Sequence, residues 1–282
     1  MLNHTHPRPT ASHRLVILGA SGFVGQAVAA QAVQEKINVL PLASRDLDLT
    51  APESAEKLAQ ILTPRDSVIF AAAIDKGSAS GSDIFLKNMA MARHVATALQ
   101  QIKIQHLTYI SSDSVYGFDR GLISEATPPS PTLLYGVMHR AREIILAAEM
   151  TAPFAVLRLT GIYGAGDTHN AYGPNRFMRE AQEHGKITLF GEGEEMRDHL
   201  HVADAARLIV AAAQRASTGT LNLATGTSVS FRTLAEIIAA QTGARIEFAP
   251  RRQPITHRHY DITARLAAFP DFVPQALKGA IG

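Results

Sequence analysis

The chain contains no cysteine. That absence removes disulfides, thiolate zinc sites, iron–sulfur clusters and cysteine nucleophiles together. Charged residues are sparse at 18% of 282, and the net charge is only +2 with histidine neutral. No lysine- or arginine-rich run stands out, so no nucleic-acid partner is expected. No segment approaches the roughly 18 uninterrupted apolar residues of a spanning helix, and no membrane partner is expected. Residues 1–13 lack the apolar core of a secretory leader and read as a flexible tail, with a cytoplasmic location expected. What the chain does have is apolar material, 46% of its residues. That is enough for a sizeable core and rules out a disordered or low-complexity chain.

Short apolar runs alternate with longer helical stretches. Leu15-Val16-Ile17-Leu18 reads as a buried strand and residues 22–34 as a helix. Strands are expected over residues 37–42, 67–70, 106–110 and 154–159, and helices over residues 53–62, 83–100 and 134–150. Such alternation predicts an α/β fold, a doubly wound parallel sheet with helices on both faces. After about residue 165 glycine and proline become frequent and the elements shorten. We therefore expect a dinucleotide-binding domain over residues 14–165 and a smaller lobe over residues 166–282, partly interleaved with it. No internal repeat is visible.

The run Gly19-Ala20-Ser21-Gly22-Phe23-Val24-Gly25 sits between the first strand and the first helix. Glycine lets a dinucleotide pyrophosphate approach the backbone, and the helix start offers free N–H donors and a favourable dipole. The second strand ends in Leu42-Ala43-Ser44-Arg45, where an NAD site usually places an acid to accept the ribose hydroxyls. Arg45, helped by Ser44, could grip a 2′-phosphate instead, so NADP is preferred and NAD remains open. Asp46 and Asp48 lie beside it.

Two further segments carry chemistry. Tyr109-Ile110-Ser111-Ser112-Asp113-Ser114 ends the fourth strand. Tyr135 and His139 open a helix four residues apart, on one face. With the glycine turn, these residues resemble an extended short-chain dehydrogenase/reductase of the NAD-dependent epimerase/dehydratase family. The resemblance spans nearly the whole chain after the tail. It includes Phe70-Ala71-Ala72-Ala73 beside the adenosine ribose, Asn88, and Arg197-Asp198-His199-Leu200-His201.

The resemblance implies a Rossmann domain with a substrate lobe, Tyr135 as general acid/base, and Ser112 as hydrogen-bond donor to the substrate oxygen. It also implies a homodimer through the two long helices. His139 stands where the family has the lysine that binds the nicotinamide ribose and lowers the tyrosine pKa. A neutral imidazole bonding that ribose is the expectation here. Family dehydratases carry Thr-Asp-Glu where this chain has Ser112-Asp113-Ser114, so elimination is disfavoured. Reduction of a 4-keto nucleotide-sugar fits better, with 4-epimerisation or dehydration as alternatives. From another class, a non-catalytic NADP-binding regulatory or scaffold protein is the rival. Arg176, Arg197 and Arg251 are the candidates for holding the substrate diphosphate. The alternating pairs His199/His201 and His257/His259 lack a third ligand at fixed spacing, so no metal is expected.

Overall fold

The Leu15–Leu18 run becomes a strand because a central parallel strand is covered on both faces and needs apolar side chains throughout; all four residues are buried. The computed structural model describes residues 1–10, 14–74, 81–118, 121–167, 172–251 and 253–277. The first half runs β1 (Arg14–Leu18), α1 (Phe23–Gln34), β2 (Val39–Leu42), α2 (Ser54–Ile61), β3 (Asp66–Phe70), α3 (Gly81–Gln101) and β4 (His106–Ser112). A 3-10 turn, Asp113–Tyr116, leads to β5 (Leu122–Ile123), α4 (Leu134–Glu149) and β6 (Phe154–Leu159). The second half runs β7 (Gly161–Tyr163), α5 (Pro174–His184), β8 (Lys186–Phe190), β9 (Met196–His201), α6 (Val202–Gln214) and β10 (Gly219–Leu223). It closes with β11 (Ser228–Ser230), α7 (Phe231–Thr242), β12 (Arg245–Ala249), β13 (His259–Tyr260) and α8 (Thr263–Ala268).

Six strands form one parallel sheet in the order β10-β6-β4-β3-β1-β2. The winding reverses between β1 and β3, which opens a crevice at their carboxyl ends. The expected strands and helices of the first half are present, with ends moved by one or two residues. The sixth strand, however, comes from residues 219–223, and α6 packs on α1. The chain thus leaves the sheet after β6, builds part of the lobe, and returns. In the lobe, α5 and α7 cover the β8–β12 pair around Tyr163, Phe177, Leu189, Phe231 and Leu234.

The expected flexible tail is a correction over residues 1–10. Leu2 is buried, Asn3 pairs with Thr218, and His4 bonds the Ser217 hydroxyl at 2.7 Å and the Ala268 carbonyl at 2.8 Å. Composition alone hid this, because one leucine and one histidine suffice to tie the segment down. Residues 11–13 lie outside the described residues.

A buried polar network fastens α4 to the sheet. Glu143 accepts from Arg158 Nε at 2.9 Å and Nη2 at 2.8 Å, from Arg140 at 2.9 Å and from the Ser111 hydroxyl at 2.6 Å. Arg158 also donates to the Tyr116 hydroxyl at 2.7 Å, which donates on to Asn222 at 2.8 Å. Burial opposes ionisation of Glu143, but pairing with Arg158 outweighs it and holds the carboxyl below its usual range. Removing one partner of such a pair strands a buried charge. Glu143→Ala is expected to cost about 3–5 kcal/mol in denaturant unfolding, and replacing both partners by apolar residues far less. Equal losses for the single and the double variant would contradict this account.

Candidate active site

A cavity of about 220 Å³ occupies the crevice between β1 and β3. Gly19, Ser21, Gly22, Ser44, Asp48 and Ala71 to Ala73 line it. The turn needs its glycines. Gly19 has φ +92°, and a Cβ on Gly25 would lie 2.1 Å from the Gly19 carbonyl oxygen. Gly22 caps α1 in extended conformation, so the first helical N–H groups face outward unpaired by any side chain. Phe23, Val24 and Gly25 do not line the cavity. Phe23 and Gly25 are buried, and Val24 packs on the core, so their share is the helix start itself. Arg45 does not line it either: its side chain is 88% exposed, with Asp46 at 3.8 Å. Asp48 does, its carboxylate accepting from the Thr50 N–H at 2.9 Å and hydroxyl at 2.8 Å, which hold it below its usual range. Asn88 fixes the chain beyond β3, donating to the Ile74 carbonyl at 2.7 Å and accepting from its N–H at 3.1 Å.

Ser112 ends β4, and its Oγ accepts from the Ser114 N–H at 3.1 Å. Helix α4 meets this turn at Gly136, where a Cβ would sit 2.2 Å from the Ser114 carbonyl oxygen. Only glycine allows that approach, and it brings Tyr135 to the Ser112 turn. Tyr135 is half-exposed in the first turn of α4, its ring 4.7 Å from that of His139, edge to face. His139 is buried, with Nδ1 2.7 Å from the Tyr109 hydroxyl. Burial, reinforced by the charge of Arg142, pushes it down to about 3, so it is neutral at pH 7. Its Nε2 is buried with no protein partner among the described residues. A ribose hydroxyl, able to donate or accept, would satisfy it in either tautomer. The glycine cradle, the crevice and this orphan nitrogen together fit a dinucleotide.

A second cavity, about 230 Å³, lies between the 3-10 turn and the lobe, lined by Asp113, Ser114, Arg197, Phe231, Arg258 and Tyr260 among others. Asp113 is committed there: Arg258 pairs with it at 2.7 Å and the Tyr260 hydroxyl donates at 2.5 Å. Arg197 stacks 5.7 Å over Phe231 and donates to Thr256 at 2.7 Å. The three expected diphosphate arginines are not brought together. Arg251 pairs with Glu194 and, at 3.0 Å, Glu195; Arg176 pairs with Glu180 at 2.7 Å and faces another surface. Sequence reading missed Arg258, Tyr260 and Arg142. Their surroundings hid them: Arg142 stands in His139-Arg140-Ala141-Arg142-Glu143, and Arg258 and Tyr260 in His257-Arg258-His259-Tyr260-Asp261, where one more polar residue carries no signal. His201 caps α6 by accepting from the Ala203 N–H at 3.3 Å, and among the described residues no cluster suits a metal. No helix among them is long and apolar enough to cross a membrane.

A doubly wound sheet with a glycine turn at its switch point defines a dinucleotide-binding Rossmann protein. More narrowly, the chain belongs to the NAD dependent epimerase/dehydratase family, whose model matches residues 15–224. It is 31% identical over 212 residues to a dTDP-4-dehydrorhamnose reductase of Mycobacterium tuberculosis, covering 72% of this chain and 66% of that one. It is 32% identical over 155 residues to a dTDP-L-rhamnose 4-epimerase of Burkholderia thailandensis, covering 51% of this chain and 43% of that protein. Among solved structures, MoeE5 in complex with UDP-glucuronic acid and NAD superposes with a TM-score of 0.83 at 23% identity, over 95% of this chain and 96% of that one. At that identity the likeness speaks for the fold alone.

Three buried histidines are expected to make the protein acid-sensitive. Burial pushes His106 to about 4, His139 to about 3 and His199 to about 4. Unfolded, each titrates near 6.5, so below that value the unfolded chain binds more protons. Their stabilisation is complete above about pH 6.5 and is lost as pH falls toward 4. Each should lose up to about 2 kcal/mol by pH 5. Thermal melts should show Tm falling between pH 7 and 5, with a shallower slope in His106→Asn. A Tm flat across that window would contradict the neutral histidines.

Proposed function

We propose that the protein reduces the carbonyl, expected at the 4-position, of a keto-sugar carried on a nucleoside diphosphate, with NADPH as the preferred reductant. The observation that carries the reading is the state of Asp113. Elimination needs an acid and a base beside Ser112, whereas here Asp113 is bound by Arg258 and Tyr260 and its neighbour is Ser114. Reduction asks for one proton donor, and Tyr135 is apposed to the Ser112 turn through the Gly136 contact. A bound dinucleotide supplies the redox equivalent at the sugar carbon. With a carbonyl oxygen at the turn, the Ser112 hydroxyl donates a hydrogen bond to it and the Tyr135 hydroxyl gives the proton. In the reverse direction Tyr135 takes the proton back, so the same residues serve an epimerase. His139 Nε2 holds a ribose hydroxyl and fixes where the reacting carbon lies.

Arg197 is the cation for the substrate diphosphate. It lines the second cavity, and among the described residues it forms no ion pair, unlike Arg176 and Arg251. Exposed Leu86 on α3 and Val137 and Ile144 on α4 support a homodimer through these two helices, which sedimentation of the native chain tests.

The acid is tested by Tyr135→Phe, which keeps the ring and loses the hydroxyl. Turnover on 4-keto nucleotide-sugars should fall about 10²-fold or more, with dinucleotide affinity within about threefold of native. An unchanged rate would move the proton donor elsewhere. Absence of turnover on any such sugar, with tight dinucleotide binding, would favour a binding protein.

The cofactor preference rests on Ser44 in the cavity wall and Arg45 beside it, loosely held and able to swing onto a 2′-phosphate. Titration calorimetry should give NADPH tighter than NADH by about 1.5 kcal/mol or more, a gap that Arg45→Glu abolishes. Equal native affinities would sink the preference and make Asp48 the residue that receives the ribose.

A further inference from the structure

Tyr135 needs a positive charge that His139 does not supply. A phenol ionises near pH 10, so a tyrosine trading protons near neutrality depends on a cation nearby. His139, buried and neutral, is not one. Another cation lies in the same layer of side chains. Arg142 is fully buried on α4, three residues beyond His139. Its guanidinium sits 4.3 Å from the centre of the Phe70 ring and 5.1 Å from that of Tyr109. It donates to the Ala72 carbonyl at 2.8 Å and to Asn88 Oδ1 at 3.3 Å, and Nη1 lies 3.8 Å from the Met138 sulfur. Each of these partners is neutral. Among the described residues no carboxylate pairs with Arg142, and its Nε has no partner. A buried charge without a counter-ion is costly. Burial lowers the guanidinium pKa, yet arginine starts so high that it stays protonated.

From this cation a continuous layer leads to the reacting phenol. The Tyr109 ring lies under the guanidinium, the Tyr109 hydroxyl meets His139 Nδ1 at 2.7 Å, and the His139 ring packs edge to face on Tyr135 at 4.7 Å. We propose that Arg142 is a positioning residue for Tyr135, its unpaired guanidinium stabilising the Tyr135 phenolate through the Tyr109–His139 layer. The proposal rests on the reading of Tyr135 as acid and base.

The other charges around this layer are already occupied or face away. On α4, Glu143 is held by Arg158 and Arg140. On the 3-10 turn, Asp113 is held by Arg258. On α3, Asp83 and Lys87 are exposed, and His94 bonds the Leu49 carbonyl beside Arg93. On β4, burial pushes the Tyr109 phenol up, so it stays neutral.

The test reads the tyrosine directly, without turnover. Titrating tyrosinate absorbance in the native protein and in Tyr135→Phe gives the Tyr135 midpoint by difference. The native midpoint is expected below the ordinary value of about 10. Arg142→Met should raise it by on the order of one pH unit. Arg142→Lys, which keeps the charge, should restore at least half of that shift, and so should His139→Lys placed on Arg142→Met. In turnover the low-pH limb of kcat for sugar oxidation should move by the same amount, about a tenfold loss at neutral pH, with KM little changed. A merely structural arginine would lower folded yield without moving the midpoint. If Arg142→Met does not fold, the native midpoint decides: at or above about 10 it overturns the proposal. A midpoint unmoved in a folded Arg142→Met overturns it too, while leaving Tyr135 as the acid. A lowered midpoint that responds to Arg142, without turnover on any nucleotide-sugar, supports the role of Arg142 and removes the reductase reading instead.

Discussion

The bidentate pair between Glu143 and Arg158 is the interaction on which the site depends. The two residues belong to α4 and β6, and through Ser111, Tyr116 and Asn222 they reach β4, the 3-10 turn and β10. Buried ion pairs contribute uncertainly to net stability, because desolvation offsets attraction. Their geometry is less forgiving. A fork of two parallel hydrogen bonds tolerates little sliding or rotation, so the pair sets where α4 lies on the sheet. Tyr135 is two turns earlier on the same helix, and its place beside Ser112 follows from that anchor.

The second constraint acts at the other end of α4. Gly136 rests against the Ser114 carbonyl with no room for a methyl group. Anchored at Glu143 and pressed onto the turn at Gly136, the helix has little freedom between them. Residues 139 and 142 fall within that stretch and residue 135 adjoins it. The Tyr135 phenol, the His139 imidazole and the buried Arg142 guanidinium are thereby fixed relative to the strand end.

Much of this was legible in the sequence because it is local. The alternation of apolar runs and helical stretches gave the sheet and its flanking helices, and Gly19 to Gly25 marked the crevice by chain position alone. Tyr135 and His139 were legible as an i, i+4 pair. What escaped is non-local. The return of β10 to the first sheet depends on pairing with β6, 64 residues earlier, and no periodicity announces a partner. The docking of residues 1–10 depends on Ser217 and Ala268. Arg251 reads in sequence as a candidate for the diphosphate, but Glu194 and Glu195 neutralise it in space. The arginine that shapes the pocket is Arg258, seven residues on, whose partner Asp113 is 145 positions away. Arg142 read as one more polar residue on a helix, since burial of a charge cannot be seen without its neighbours.

Charge placement is what the proposed reduction rests on. At the Ser112 turn Asp113 is tied to the lobe by Arg258 and Tyr260, so it braces two parts of the chain together. Next to Tyr135 the imidazole is neutral and can orient a hydroxyl without adding charge. The Arg142 charge is withdrawn among the rings of Phe70 and Tyr109. An elimination would need charged groups exchanging protons at adjacent sugar carbons, and among the described residues lining the second cavity the one carboxylate beside Ser112, Asp113, is already paired. A carbonyl reduction needs only one proton delivered to one oxygen, and on the proposed reading Tyr135 is the group that delivers it.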